Sequence, residues 1–165
     1  SLIIALGVIL IQTGGKLSIA DIINWQAQNR AIALSFSGAL ALIIAVFSAQ
    51  AKLSAVPFDL AEAETELSAG ALIEYSGVLL GIYKLTRMIM LVVMPMFVVV
   101  LFLGGLEPKL TSIIWAIIKY LILLLVFVLL RNTNPRLRID QALRFFWYGM
   151  GGIGLLAIIL ALLRW

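Results

Sequence analysis

The chain has 165 residues, of which 64% are hydrophobic and 12% are charged, and its net charge is +4. Because soluble domains carry about 25% charged residues, this composition excludes an ordinary soluble protein and predicts an all-α, polytopic transmembrane helix bundle. The sequence contains no cysteine and no histidine, which excludes disulfides and cysteine- or histidine-ligated metal or iron–sulfur sites within these residues. The modest charge predicts no nucleic-acid partner.

Apolar segments dominate the chain from its first residues. The opening segment, Ser1–Leu10, is too short to span a bilayer, and we expect it to be the end of a longer, truncated helix. Four longer segments predict about four full spans: Ala31–Ala49, Gly77–Leu103, Leu110–Leu130 and Phe145–Leu163. No linker or internal repeat divides them, so residues 1–165 are predicted to form a single transmembrane domain.

The connecting segments differ in character. Within Gln12–Arg30, a helix-start signal at Ser18–Asp21 predicts a short interfacial helix. The two charged loops, residues 50–76 and 131–144, fall on the same side of the membrane when crossings are counted. The positive-inside rule predicts that this side is cytoplasmic, in the cell membrane of a prokaryote.

The first charged loop holds five of the eight acidic residues: Asp59, Glu62, Glu64, Glu66 and Glu74. In a helix, Asp59, Glu62 and Glu66 would share one face. Neighbouring carboxylates in a low-dielectric setting resist simultaneous ionisation, so some would retain a proton near neutral pH and could pass it on. The alternative is a solvated loop in which Asp59 and Glu62 form a capping box.

The order of residues distinguishes these interpretations. The run Pro57-Phe58-Asp59-Leu60-Ala61-Glu62-Ala63-Glu64-Thr65-Glu66-Leu67, followed by Glu74-Tyr75-Ser76-Gly77, resembles the signature loop of the H-type membrane subunit of complex I and of related energy-converting NiFe-hydrogenases. A second block, from Arg131 to Gln141, is similar to the basic loop before the last helix of that family. The resemblance covers nearly the whole chain, which corresponds to about the second half of a family member.

This resemblance implies a subunit that couples electron transfer to proton or sodium-ion translocation. It would lie between a cytoplasmic redox arm and antiporter-like membrane subunits. The acidic-loop carboxylates and Asp140 would take part in coupling, whereas Tyr75, Arg136 and Arg138 would dock the redox arm. The cofactors would belong to partner subunits, as iron–sulfur clusters and, in a hydrogenase, a NiFe centre.

Three cations lie within predicted spans: Lys84, Arg87 and Lys119. A charge at the centre of a span costs a few kcal/mol and usually faces the bundle interior or water, so we predict a coupling role for all three. Lys119 would belong to a lateral proton path or pair with a carboxylate of a neighbouring subunit. The alternative for Lys84 is that its side chain snorkels to the interface.

Arg87 also distinguishes branches of the family. Complex I members tend to carry an acidic residue near this position, so we expect a ferredoxin-linked, membrane-bound hydrogenase, with the quinone-site H-type subunit of complex I as the alternative. Two further alternatives are an autonomous ion transporter and a purely structural anchor. The sequence contains no nucleophile–base pair, phosphate loop or metal-ligand cluster, so no catalytic residue is predicted.

Overall fold

The computed structural model describes residues 1–53, 57–58, 77–104, 110–135 and 137–163, and every regular element in these ranges is helical. A 3₁₀ turn, Ile32–Leu34, precedes the third helix, and a π-helical segment, Phe145–Met150, joins the last two. The helices in chain order are α1 (Leu2–Gln12), α2 (Ile19–Gln28), α3 (Phe36–Lys52), α4 (Val78–Phe102), α5 (Leu110–Thr133), α6 (Ile139–Arg144) and α7 (Gly151–Leu162). The predicted all-α membrane bundle is confirmed.

Helices α1, α3 and α7 pack against one another and form the core of the bundle. The buried residues on these helices are mostly small: Ala5, Ala41, Ala45, Ala49, Ala157 and Ala161. A Cβ atom added to Gly154 would lie 2.6 Å from Cγ2 of Ile4, so α1 and α7 approach closely at this glycine. Close packing matters here because lipid is as apolar as the side chains, and burial alone does not hold helices together in a membrane.

Helices α4 and α5 form an antiparallel hairpin beside this core. Helix α4 packs on both α3 and α5, and its buried residues lie in its second half, from Pro95 to Phe102. The first half of α4 and most of α5 expose large apolar side chains, among them Leu85, Met88, Ile89, Ile117, Leu121 and Ile122.

Three helical runs in the described ranges are long and apolar enough to cross a membrane: Val78–Phe102, Ser112–Thr133 and Ile139–Leu162. They coincide with three of the predicted spans. The remaining predicted span, Ala31–Ala49, was placed too early. Its helix, α3, begins at Phe36 and has 17 residues, which is the lower end of the range that crosses a bilayer.

The later start of α3 has a local cause. The Ser35 hydroxyl accepts a hydrogen bond from the backbone N–H of Gly38 (3.1 Å) and caps the first turn. A side chain at Gly38 would overlap the carbonyl of Ile32, so this glycine lets the preceding 3₁₀ turn fold back onto α3.

The second charged loop is shorter than predicted, whereas a short helix is present where one was predicted between residues 12 and 30. Helix α5 continues to Thr133, and α6 already begins at Ile139 within the segment assigned to a loop. The predicted helix between residues 12 and 30 is α2, with Asp21 in its first turn. A carboxylate at that position stabilises the positive end of the helix dipole.

Candidate functional site

The two charged loops contact each other at the end of the bundle where α3 ends and α6 begins. The backbone N–H of Leu137, in the second loop, donates a hydrogen bond to the carbonyl oxygen of Pro57 in the first loop (3.1 Å). Pro57 and Phe58 open the acidic run of the sequence, so this bond holds the start of that run against the second loop. We call this contact the loop junction.

An aromatic cluster reinforces the loop junction. Phe58 is 5% exposed, and its ring centroid lies 4.9 Å from that of Phe146 and 5.7 Å from that of Phe145. Phe47 of α3 makes an edge-to-face contact with Phe145 at 5.4 Å. Aromatic pairs of this kind contribute about 0.5–1.5 kcal/mol each beyond the area they bury. The cluster therefore anchors the backbone immediately before Asp59.

Two members of the cluster, Phe145 and Phe146, begin the π-helical segment. Such segments frequently occur at functional sites. Phe58 was not predicted as a site residue, since an apolar residue beside five carboxylates carries no chemical signal. In the sequence, the only indication of a partner for Phe58 was the aromatic pair Phe145 and Phe146 at the start of the last apolar segment.

Most of the predicted coupling residues lie outside the described residues. These are Asp59, Glu62, Glu64, Glu66 and Glu74, together with the predicted docking residues Tyr75 and Arg136. Their roles stay predictions.

A basic cavity lies between the end of α3 and the α4–α5 hairpin. Lys84, Arg87 and Arg131 line its volume of about 240 Å³, together with the apolar side chains Leu53, Met88 and Leu91. Lys84 and Arg87 occupy the first three turns of α4, and Arg131 the last turn of α5. The antiparallel hairpin therefore brings three cations together at the same end of the bundle as the loop junction.

Arg131 is a site residue that was not predicted. It was interpreted as the first residue of a charged loop, whereas the structure extends α5 through it. A cation in the last turn of a helix is stabilised by the carbonyl end of the helix dipole. The signal that could have identified it is the close succession of two long apolar segments, because two such helices pack antiparallel and the end of the second then lies beside the start of the first.

Lys119 lies near the opposite end of the hairpin. Its Nζ donates a hydrogen bond to the carbonyl oxygen of Leu103 (2.5 Å), which is the residue that follows α4. The ammonium group therefore caps the carbonyl end of α4, where a positive charge is favourable. The predicted proton-path role for Lys119 stays a prediction.

Gln26 of α2 completes this cap and was not predicted either. Its Nε2 donates to the carbonyl oxygens of Val100 (3.2 Å) and Leu101 (3.1 Å), and its Oε1 accepts from the backbone N–H of Gly104 (2.7 Å). Gly104 has a φ of +78°, a conformation that favours glycine. A glutamine on the same face as Ile22 of the predicted amphipathic helix is the sequence signal that could have revealed it.

The remaining two predicted residues lie on α6. The backbone N–H of Arg138 donates a hydrogen bond to Oε1 of Gln141 (3.2 Å), and this bond caps the start of α6. Asp140 lies in the first turn of α6. Both side chains are exposed. They lie near the loop junction and not on the wall of the basic cavity. At that position their side chains are accessible to another subunit.

These features define a class of protein: a polytopic helical membrane subunit whose charged loops meet at one end of the bundle. The sequence model of a family described as NADH dehydrogenase matches residues 1–162, and the chain belongs to this family. The resemblance inferred from the two loop motifs is thereby confirmed.

Individual relatives agree with this assignment. The chain is 35% identical over 161 residues to the H-type subunit of NADH-quinone oxidoreductase from Geobacillus kaustophilus, covering 94% of this chain and 47% of the relative. It is 40% identical over 121 residues to the H-type subunit of NADH-quinone oxidoreductase from Syntrophotalea carbinolica, covering 73% and 37%. The chain thus spans about half the length of the curated relatives it matches.

A solved structure has the same fold. It is described as the membrane-bound sulfane sulfur reductase, an archaeal respiratory membrane complex. The similarity has a TM-score of 0.84 at 27% sequence identity and covers 97% of this chain and 55% of the other.

Proposed function

We propose that the chain is part of a non-catalytic coupling subunit in a complex I-like membrane oxidoreductase. It docks a redox arm at its charged-loop end and transmits the effect of electron transfer into the membrane, where protons or sodium ions move. The observation that carries this proposal is the loop junction. A hydrogen bond and an aromatic cluster fix the start of the acidic run against the second charged loop.

The side chains of this sequence limit which cofactors it can hold. The 165 residues contain no cysteine or histidine, the usual ligands of iron–sulfur and NiFe centres. The redox cofactors would accordingly reside in redox-arm subunits. A subunit without its own redox centre can respond to electron transfer through charge. Pro57 and Phe58, which precede the acidic residues, lie at the same end of the bundle as the three cations of the basic cavity.

Helix α4 would carry the response across the membrane. Lys84 and Arg87 lie near its first turns, and Lys119 and Gln26 bind the carbonyls at its far end. A displacement of α4 by a change of charge at the loop end would therefore alter hydrogen bonds at the other end. Antiporter-like membrane subunits beside the hairpin would receive that change.

For the electron acceptor, we propose the ferredoxin-linked, membrane-bound hydrogenase branch. Arg87 supports it, because the family resemblance leads us to expect an acidic residue near this position in a quinone-linked member. The second candidate is the quinone-site subunit of complex I, which the names of the relatives favour. Metal analysis of the complex purified through this subunit distinguishes the two: nickel together with iron indicates the hydrogenase, and iron without nickel contradicts it.

The coupling role is tested at Phe58. In the intact complex reconstituted into vesicles, Phe58→Ala is expected to lower the number of ions translocated per electron, because the acidic run loses its anchor. Phe36→Ala is the matched control, since Phe36 is an exposed aromatic residue at the other end of α3. Phe58→Leu keeps the apolar bulk and should recover assembly if the alanine variant fails to assemble.

An unchanged ratio of ions to electrons in an assembled Phe58→Ala complex would contradict the coupling role and favour a structural anchor. Ion transport by the isolated subunit, without its redox partners, would instead favour an autonomous transporter.

A further inference from the structure

The helical run Ile139–Leu162 accommodates one extra residue near its middle. Its segment Phe145–Met150 is π-helical, and the backbone N–H of Gly151 donates a hydrogen bond to the carbonyl oxygen of Phe146, five residues earlier. In an α-helix this bond joins residues four apart. The segment therefore shifts α6 by one residue relative to α7.

The buried residues show this shift. Gly154, Ala157 and Ala161 form the buried face of α7. Leu143 precedes Ala161 by about five α-helical turns, at ~3.6 residues per turn, so an unbroken α-helix would place Leu143 on that face. The residue of α6 that is buried is instead Ala142, one position earlier, which is 3% exposed. The π-helical segment thus decides which side of α6 faces the bundle.

The same shift decides which aromatic side chains meet the loop junction. With the π-helical segment in place, Phe145 and Phe146 contact Phe58. If the segment became α-helical while α7 stayed in the core, every residue before it would move back by one position. Phe146 would then take the place of Phe145, and Trp147 that of Phe146. Large aromatic side chains would occupy both places in either register.

The two ends of the segment differ in how firmly they are held. Helix α7 packs on α1 and α3, and Gly154 lets it approach Ile4 closely. Helix α6 has six residues and packs on the π-helical segment. A conversion would therefore move α6. Helix register shifts take about microseconds to milliseconds, which is within the time of an enzymatic turnover.

A movement of α6 would reach the acidic run through the loop junction. Leu137, two residues before α6, donates its backbone hydrogen bond to Pro57, and Phe58 packs on the aromatic pair. A shift of one residue moves α6 by about 1.5 Å along its axis and turns it by about 100°. Both contacts with the start of the acidic run would change together.

From register, burial and aromatic contacts we infer that Phe145–Met150 is a register switch. It alternates between π-helical and α-helical forms, exchanges Phe146 for Trp147 against Phe58, and so repositions the start of the acidic run. This inference rests on the proposed coupling function, because the switch acts on the loop junction that carries it.

The test deletes Tyr148 in the intact complex reconstituted into vesicles. Without the extra residue the run becomes an unbroken α-helix, in which Phe145 and Phe146 keep their places against Phe58. The complex should assemble and transfer electrons, but ion translocation per electron should be lost because the second register no longer exists. Tyr148→Ala is the matched control. It keeps the number of residues, and its ratio of ions to electrons should be normal.

Trp147→Ala tests the second register without changing the length of the chain, and it serves if the deletion variant does not assemble. The contacts of Phe58 with Phe145 and Phe146 remain, whereas the α-helical register lacks its aromatic partner. The ratio of ions to electrons should fall. Electron cryomicroscopy of the unmodified complex during turnover should show a second class of particles, in which Trp147 contacts Phe58.

The outcomes separate the switch from the coupling function. A normal ratio in the assembled deletion variant or in Trp147→Ala would overturn the switch, as would an equal loss in Tyr148→Ala. If Phe58→Ala lowers the ratio and deletion of Tyr148 does not, the coupling function stands and the switch is wrong. If neither variant lowers it, both are wrong.

Discussion

The three-helix core and the α4–α5 hairpin are both apolar but are built differently. In the core, α1, α3 and α7 meet through alanines and Gly154, whereas α4 and α5 present large side chains outward. The most hydropathic of the span-length helices, α5, is also the least buried of them. Hydropathy therefore identifies the membrane helices, and small residues identify which of them pack closely.

The hairpin is joined to the rest of the bundle by the packing of the second half of α4 on α3 and by polar contacts. Gln26 of α2 binds the end of α4, and Nε2 of Gln50 in α3 donates to the carbonyl oxygen of Phe127 in α5 (3.3 Å). Hydrogen bonds between membrane helices are modest individually, about 0.6 kcal/mol on average. Packing should thus dominate the stability of the core, and polar contacts should set the position of the hairpin. Four predictions test this difference, from the largest expected effect to the smallest.

Gly154→Val should have the largest effect. The new side chain would clash with Ile4 and separate α1 from α7, which should lower the free energy of unfolding by about 2–3 kcal/mol. The measurement is unfolding of the purified subunit in mild detergent. Gly152→Val is the control, because a Cβ atom at Gly152 meets nothing within 4 Å. Equal destabilisation by both variants would attribute the effect to helix propensity and contradict close packing.

Ile44→Ala tests the core from the side of α3. Ile44 is 0% exposed, so truncation should leave a cavity and lower the free energy of unfolding by about 2 kcal/mol. Its neighbour Ile43 is 44% exposed, and Ile43→Ala should have less than about a quarter of that effect because lipid fills the space. The same unfolding assay applies, and a reversed order would mean that α3 is rotated relative to the structure.

Gln26→Leu tests the polar attachment of the hairpin. It leaves the N–H of Gly104 and the carbonyls of Val100 and Leu101 without their side-chain partner, which should cost about 1–2 kcal/mol. Hydrogen–deuterium exchange should accelerate at residues 100–104, with little change in the core. Gln28→Leu, at an exposed position of the same helix, should leave exchange unaltered. Uniform acceleration throughout the bundle would contradict the proposed division between the two regions.

Lys119→Met should have the smallest effect on stability. Loss of the cap on Leu103 and of a charge at the end of α4 should cost about 0.5–1 kcal/mol. Its effect on ions translocated per electron decides the role of the residue. A normal ratio would make Lys119 a helix cap and contradict the predicted proton path, whereas loss of translocation would support that path. Lys16→Met, at an exposed loop position, is the control for charge.

Local patterns allowed much of the helical framework to be predicted. The predicted spans starting at Gly77 and Leu110 match α4 and α5 within a few residues, because each is a long, mainly apolar segment with glycine, proline or charged residues at its ends. The predicted start of α3 was wrong because Ala31–Leu34 is as apolar as the helix that follows. The actual start depends on the cap that Ser35 provides and on the fit of Ile32 against Gly38, neither of which changes hydropathy.

The candidate site was predicted less completely, since its contacts join distant parts of the chain. The acidic and basic motifs could be recognised from residue order, and they indicated the family. Three contacts could not be predicted from residue order. They are the aromatic partners of Phe58, the convergence of Arg131 with Lys84, and the contact of Gln26 with Gly104, which lies 78 residues away. Each of these depends on how helices pack, and no periodicity within one segment encodes it.

The sequence alone determined that this is an all-helical membrane protein, that its family is that of the H-type subunits, and that these residues offer no cysteine or histidine ligand to a metal or iron–sulfur centre. These conclusions follow from composition and short motifs, which act locally. Only the tertiary structure decided which helices form the core, that the acidic run begins on the second charged loop, and that three cations share one cavity. The physical reason is packing geometry. Small residues let α1, α3 and α7 approach one another, and the antiparallel hairpin brings Lys84 and Arg87 of α4 close to Arg131 of α5.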